Sequence, residues 1–468
     1  MNKKRLGLYI FLIAIVITGL IFIISKKNSP KFSGKEKTHH LIVISIDALN
    51  AQDFNTIKNM PNFKFILENG SYAREVTNIY PSLTYPSHTT LITGVYPDHH
   101  GIYTNEFCQP GVKEQEWRWD VKHIKVPTLF DLAKKQDMTV GAFFWPVMAN
   151  AKIDYNCSEI WPTKGENQIL LSLKNGTPIF LLDTEFRYSK LRDGKKQPNL
   201  DNYTTESVSY MIRSRKPNLV LVHLNELDHV RHKHGVNSIE AKEALKRMDE
   251  RIGKFIQAAK QGKIFEDSTF IILGDHGFLD VSYKICLNVA FRKANLITTD
   301  SQGNVTDWKA YSNYCDGSTQ IHLKDPNDEK TLKIVKNILQ YLINNNLGVE
   351  RIYTKEECAK KGVTGDFSLM VEAKKGYYFN NEWTGNKVTR KILTSEYEEN
   401  GYYYNVATHG FDPLKENYKT IFMAYGKGIK KGIIINNIKL VDECPTFASL
   451  LGIDMKNMDG RTLEEIIA

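Results

Sequence analysis

HLIVISI, residues 40–46, is followed directly by Asp47. A compact apolar run that ends on a carboxylate is how a buried parallel strand delivers a polar group to the edge of a sheet. The pattern recurs three times. Residues 218–224 run into Glu226 and Asp228, residues 269–273 into Asp275 and His276, and residues 140–144 into Trp145 and Pro146. In open α/β sheets, ligands gather at the carboxyl ends of the strands. Helical periodicity lies between these runs, most clearly over 238–261, where Ala241, Leu245, Met248, Ile252, Phe255 and Ala259 recur every three or four residues and Gly262 follows as a stop. The alternation predicts an α/β fold with a doubly wound, mostly parallel sheet.

From about 285 to 400 the pattern changes. A strand-like stretch at 319–323 and an amphipathic helix over 329–343 precede a tyrosine-rich, loop-like region. This reads as a smaller α+β subdomain inserted into a catalytic domain that spans 40–468. Such an insertion suits the length of 468 residues, because single hydrophobic cores stop growing at roughly 250 to 300 residues.

The start of the chain differs from the rest. Residues 8–24 are apolar apart from Tyr9, Thr18 and Gly19, with Lys3, Lys4 and Arg5 before them and Lys26 and Lys27 after. That length just spans hydrocarbon. It exceeds the apolar region of a cleaved signal peptide, and no small-x-small cleavage site precedes Lys26. We therefore expect a basic cytoplasmic N-terminus at 1–7, a transmembrane signal anchor at 8–25, a linker at 26–39 and a catalytic domain outside the cell membrane. The net charge is +9, but the lysines are scattered and form no basic stripe interleaved with aromatics, which argues against specific binding of double-stranded nucleic acid. The six cysteines contain no CxxC pair, so a zinc ribbon or thioredoxin-like site is not expected. Disulfide pairing is left open.

Asp47, Asp228, His232, Asp275, His276 and His409 form the central constellation of chemistry-bearing residues. Carboxylate oxygen together with imidazole nitrogen suits zinc. Asp228 and His232 stand four apart, so both face one way on a helical turn. Gly-Asp-His-Gly at 274–277 allows a sharp loop that presents two adjacent ligands. A second constellation, Tyr80-Pro-Ser-Leu-Thr84-Tyr-Pro-Ser-His88, places the Thr84 hydroxyl at or near a helix N-terminus. Backbone N–H groups and the helix dipole there favour an anion such as phosphate. A plain capping threonine is the bland alternative.

The ordered set of a strand ending in Asp47, P-S-L-T-Y-P-S-H, T-G-V-Y-P-D-H-H-G-I-Y-T-N, D-H-V-R-H-K-H-G, G-D-H-G, T-H-G-F-D and the C-terminal V-D-E-C-P-T-F-A-S-L-L-G-I-D-M resembles the nucleotide pyrophosphatase/phosphodiesterase (type I phosphodiesterase) family of the alkaline phosphatase superfamily. The resemblance runs from about residue 40 to the end. It implies an alkaline-phosphatase-like core and two zinc ions, one held by Asp47, Thr84, Asp275 and His276, the other by Asp228, His232 and His409. It also implies that Thr84 is the nucleophile, with a phosphothreonine-type intermediate. Asn105, together with backbone N–H groups beside Thr84, would donate to a non-bridging oxygen. Tyr85 stands where family members carry an aromatic that stacks on a nucleobase or covers an apolar leaving group; ordinary packing is its alternative role. His88 is expected to be structural, and His99, His100, His229 and His234 solvated or supporting.

One departure matters. The family's E-P-D-x-x-G-H-x-x-G-P reads here E-L-D-H-V-R-H-K-H-G-V, with Leu227, Arg231 and Val236 replacing proline, glycine and proline. Arg231 adjoins a ligand and is expected to be able to meet a phosphate. A sulfatase is excluded because its C/S-x-P-x-R segment is absent. Phosphomonoesterase, phosphonate hydrolase and phospholipid-cleaving activities remain as alternatives to hydrolysis of nucleotide-like phosphodiesters or pyrophosphates, and a non-catalytic surface-binding protein is the reading from another class.

Overall fold

The computed structural model describes residues 30–31, 34–392 and 406–468. The expected anchor at 8–25 and part of the linker, residues 26–29 and 32–33, lie outside the described residues. Among the described residues no helix is long and apolar enough to cross a membrane.

The strand His40–Ile46 sits inside an eight-stranded sheet. It pairs in parallel with Leu219–Leu224 on one side and Ser268–Leu273 on the other, so that Ile44 lies opposite both Val222 and Ile272. Val140–Phe143 and Tyr155–Cys157 extend the parallel set beyond Leu219–Leu224. The first of these ends one residue short of the predicted 140–144 because Phe144 turns left-handed, at φ 53°. Beyond Ser268–Leu273 the sheet becomes mixed. Thr420–Gly426 runs antiparallel to both of its neighbours, and Ile434–Lys439 closes the edge parallel to Ser71–Thr77.

Side chains alternate across the pleat, so the central strand feeds two cores. Leu41 and Val43 face a layer that includes Leu91, Phe130 and Phe447, from the helices Thr84–Thr93, Leu129–Lys135 and Glu443–Leu450. Ile42, Ile44 and Ile46 face Phe63, Met211, Met248, Ile252 and Phe255, from Pro61–Asn69, Asn199–Arg215 and Ile239–Gly262. Covering both faces is what makes near-continuous apolar strands stable in water. Ile239–Gly262 buries the stripe read from its sequence, and the Ser238 hydroxyl caps it by accepting the Ala241 N–H.

Between Ser268–Leu273 and Thr420–Gly426 lies a four-stranded antiparallel sheet with the order Ala310–Cys315, Ser318–Leu323, Leu369–Ala373, Val349–Tyr353. The helix Glu329–Asn344 contributes Val335, Leu339 and Leu342 to its core. The turn at Asp316-Gly317 points back toward the large sheet. A Cβ on Gly410 would stand 1.8 Å from the Cys315 carbonyl oxygen; only glycine lets the loop after His409 pass that close to the turn.

Candidate active site

The predicted ligands meet at one end of the large sheet. Asp47 follows His40–Ile46, and Asp275 and His276 follow Ser268–Leu273. Asp228 and His232 lie on the helix Glu226–His234, which begins just past Leu219–Leu224. His409 follows the short strand Ala407–Thr408. Thr84 is the first residue of its ten-residue helix, with Leu83 extended before it.

His276 is the hub. Its Nε2 lies 3.2 Å from Thr84 Oγ1, 3.1 Å from Asp47 Oδ1 and 3.3 Å from Asp275 Oδ2. Its ring stacks on His409, with centroids 3.9 Å apart and planes inclined by 13°. Asp228 Oδ1 lies 3.4 Å from His232 Nε2 and 3.8 Å from His409 Nε2. The imidazole Nδ1 of His232 faces the Ala407 carbonyl oxygen at 3.0 Å; donation there leaves the Nε2 lone pair aimed at the cleft, as a metal-ligating histidine requires.

Asp47 Oδ1, Asp228 Oδ1 and Asp275 Oδ2 are buried and accept no hydrogen bond. Buried carboxylate oxygens are costly unless a cation or donor satisfies them. Their convergence with imidazole nitrogens fits divalent cations of the zinc class. Asp47, Asp275 and His276 form one candidate group, and Asp228, His276 and His409 another. The charges respond to one another. Burial opposes ionisation of Asp47, yet His276 and His223 outweigh it and hold the carboxyl well below its usual range. Burial, then the neighbouring Asp47, pushes Asp275 up to about 7. Burial works against a charged His276, but Asp275 and Asp47 carry it up to about 10.

Asn105 closes the site beside Thr84, where its Oδ1 accepts the Tyr85 backbone N–H at 2.9 Å. Of the N–H groups that follow Thr84, that of Tyr85 is held by Asn105, Pro86 has none, and that of Ser87 donates to the Leu83 carbonyl. Arg231 corrects an expectation. It is 1% exposed and turned away from the cleft, donating to Asp53 Oδ1 at 2.5 Å and to the carbonyls of Ala48 and Val236. It meets no phosphate; it ties the helix to the loop after the first strand.

His88 is fully buried, with Nδ1 2.8 Å from the Thr84 carbonyl and Nε2 2.9 Å from Ser45 Oγ, so it braces the backbone at Thr84. His100 is also buried, accepting the Ile102 N–H at 3.1 Å within its own loop, and burial pushes its pKa down to about 3; it neither faces solvent nor touches the site. His99 pairs with Asp459 at 2.9 Å and His234 with Glu240 at 3.6 Å, while His229 lines the cleft. All six cysteines are free.

Two residues at the site escaped the sequence reading. His223 donates to Asp47 Oδ2 at 3.0 Å from within the strand Leu219–Leu224; the signal was a lone histidine in an otherwise apolar run. Asp316, 4.0 Å from His409 Nε2, arrives from the second sheet and carried no local signal. Tyr85 is fully buried and lines the cleft, its ring 5.2 Å from Trp117, alongside Trp161, Glu159 and Asn225.

A family model described as type I phosphodiesterase / nucleotide pyrophosphatase matches residues 41–412. Ectonucleotide pyrophosphatase/phosphodiesterase family member 7 of Rattus norvegicus is 26% identical over 452 residues, covering 91% of this chain and 86% of the relative. Family member 1 of Homo sapiens is 22% identical over 445 residues, covering 91% of this chain and 41% of the relative. The solved structure of murine ectonucleotide pyrophosphatase/phosphodiesterase 5, an inactive form in complex with AMP, superposes with a TM-score of 0.64 at 18% identity, covering 92% of this chain and 100% of that one.

Proposed function

The chain belongs to the type I phosphodiesterase/nucleotide pyrophosphatase family, and we propose that it hydrolyses phosphodiester or pyrophosphate bonds of nucleotide-like substrates through a covalent phosphothreonine at Thr84. The observation that carries this reading is the position of Thr84 Oγ1, at a helix N-terminus and 3.2 Å from His276 Nε2, beside buried carboxylate oxygens that accept no hydrogen bond. Asp47, Thr84, Asp275 and His276 would hold one zinc, and Asp228, His232 and His409 a second. Zinc bound there supplies what a threonine lacks at neutral pH, a lowered cost of the alkoxide and positive charge against the phosphoryl oxygens.

The protein's own groups do the rest. Thr84 Oγ1 forms the new bond to phosphorus as the bond to the leaving oxygen breaks, and water then cleaves the phosphothreonine. The Asn105 Oδ1 is fixed by the Tyr85 N–H, which leaves its amide NH2 to donate to a non-bridging oxygen. His88, on the Thr84 carbonyl, and His223, on Asp47, hold the first turn and the carboxylate in place. Trp117 and Trp161, half-buried and packed around the buried Tyr85 ring, offer an aromatic surface to one arm of the substrate. The AMP complex of the murine relative supports a nucleotide-like arm. The apolar segment at 8–25 would anchor the domain at the outer face of a cell membrane.

The test is hydrolysis of p-nitrophenyl thymidine 5′-monophosphate against p-nitrophenyl phosphate by the full chain, with chelator and with zinc restored. A chelator-sensitive preference for the diester is expected. Preference for the monoester would move the function to a phosphatase, and turnover indifferent to chelator would remove the metals from the scheme.

A further inference from the structure

Of the twelve large apolar side chains that are exposed in the described residues, six lie between 169 and 191: Ile169, Leu170, Ile179, Leu182, Phe186 and Leu191. Single exposed apolar residues need no explanation, but a cluster does. Five of the six sit on two short helices, Gln168–Asn175 and Pro178–Tyr188, joined through Gly176 and Thr177, and Leu191 ends the turn that follows. In the second helix Ile179, Leu182 and Phe186 fall at i, i+3 and i+7 on one face, while Phe180, Leu181 and Thr184 are buried on the other. Phe186 is 90% exposed. Amphipathic order therefore exists here twice over, one apolar face turned to the core and a second turned outward.

Two further features indicate what covers the outward face. Lys174 stands one turn beyond Leu170 and Lys190 four residues beyond Phe186; both are exposed, and neither makes an ion pair among the described residues. Nearby Arg187 and Arg192 are neutralised by Asp183 and Glu185. Lysine is depleted from the cores of protein–protein interfaces, whereas apolar side chains beside free lysines are the mark of a helix lying in a membrane interface. The patch is also continuous with the cleft, since the exposed Ile169 and Leu182, with Leu173 and Leu181 beside them, line it.

We propose that these two helices dock on the surface of a phospholipid bilayer bearing anionic headgroups. Their outward apolar side chains enter the boundary between headgroups and acyl chains, and Lys174 and Lys190 meet lipid phosphates. Docking brings the mouth of the cleft to the headgroup layer, where the phosphodiesters of lipids lie; this deepens the phosphodiesterase reading and rests on it for the chemistry alone.

The test labels the full chain, as Cys108→Ser with Phe186→Cys, with a polarity-sensitive dye such as acrylodan, the other five cysteines being buried. Tyr341→Cys, at a site 61% exposed in the second sheet's helix, is the control. Vesicles of phosphatidylcholine and phosphatidylglycerol should shift the emission at 186 to the blue and leave 341 unchanged, and adding Leu170→Ser should cut the shift at 186 while the segment at 8–25 keeps the chain on the vesicle. No shift at 186, an equal shift at 341, or a shift without lipid that grows with protein concentration would overturn the proposal, the last in favour of self-association. Turnover of the soluble p-nitrophenyl diester, measured alongside, separates the two readings: turnover without the shift sinks the docking alone, and the shift without turnover sinks the phosphodiesterase reading alone.

Discussion

Arg231 and Asp53 form a buried ion pair, Nη2 to Oδ1 at 2.5 Å, across 178 residues of sequence. Arg231 belongs to the helix that carries Asp228 and His232, so the pair ties that helix to the segment after the first strand and holds the two candidate ligands in place.

Arg231→Met should therefore act on stability and leave substrate charge recognition alone. Removing one member of a buried pair leaves the other uncompensated, at about 3–5 kcal/mol. Denaturant unfolding should show that loss. A selective rise in KM for an anionic diester with unchanged stability would instead return Arg231 to the substrate.

Thr84→Ala should abolish turnover and keep the metals, because three of the four groups assigned to the first ion remain. Elemental analysis beside the diester assay reads both. Full activity in this variant would remove Thr84 as nucleophile, and loss of metal would make its role mainly that of a ligand.

Asn105 holds the Tyr85 N–H and is proposed to donate to the phosphate, and one substitution separates the two roles. Asn105→Asp keeps an acceptor for the Tyr85 N–H, so the start of the nucleophile's helix should hold, yet it turns a carboxylate oxygen toward the phosphate. The expected outcome is kcat lowered about a hundred- to a thousandfold or further with little change in Tm. A matching fall in Tm would mean that Asn105 acts by holding the backbone.

Glu443 predicts the pH dependence of stability. Both of its carboxylate oxygens are buried without a hydrogen-bond partner, and burial, then neighbouring Asp442, pushes its pKa well above the ordinary 4.5. A carboxyl whose folded pKa is raised binds its proton more tightly in the folded state. Its contribution is fully present below about 4.5 and is lost as pH rises through the folded pKa. Glu443→Gln should remove that loss, so the variant should gain Tm over the parent as the buffer moves from mildly acidic to alkaline. A difference that does not change with pH would show that the carboxyl finds a partner.

What the sequence by itself determined is local. HLIVISI is apolar from Leu41 to Ile46 save for Ser45 and is followed by Asp47, so both its burial between two layers and the placing of a carboxylate past the strand's end follow from one continuous apolar run. The stripe of Ile239–Gly262 and the position of Thr84 at a helix N-terminus are legible for the same reason, since each rests on neighbours within one or two turns. What only the tertiary structure decided depends on partners far apart in the chain. The antiparallel course of Thr420–Gly426 is set by strands some 150 and 350 residues earlier. The direction taken by Arg231, the commitment of the Tyr85 N–H to Asn105, and the arrival of His223 and Asp316 at the ligands are likewise settled by distance and burial in three dimensions. A side chain's type states which partners it can accept; a buried polar group takes the partner that packing brings within about 3 Å, because leaving it unpaired away from water costs more than any local preference provides.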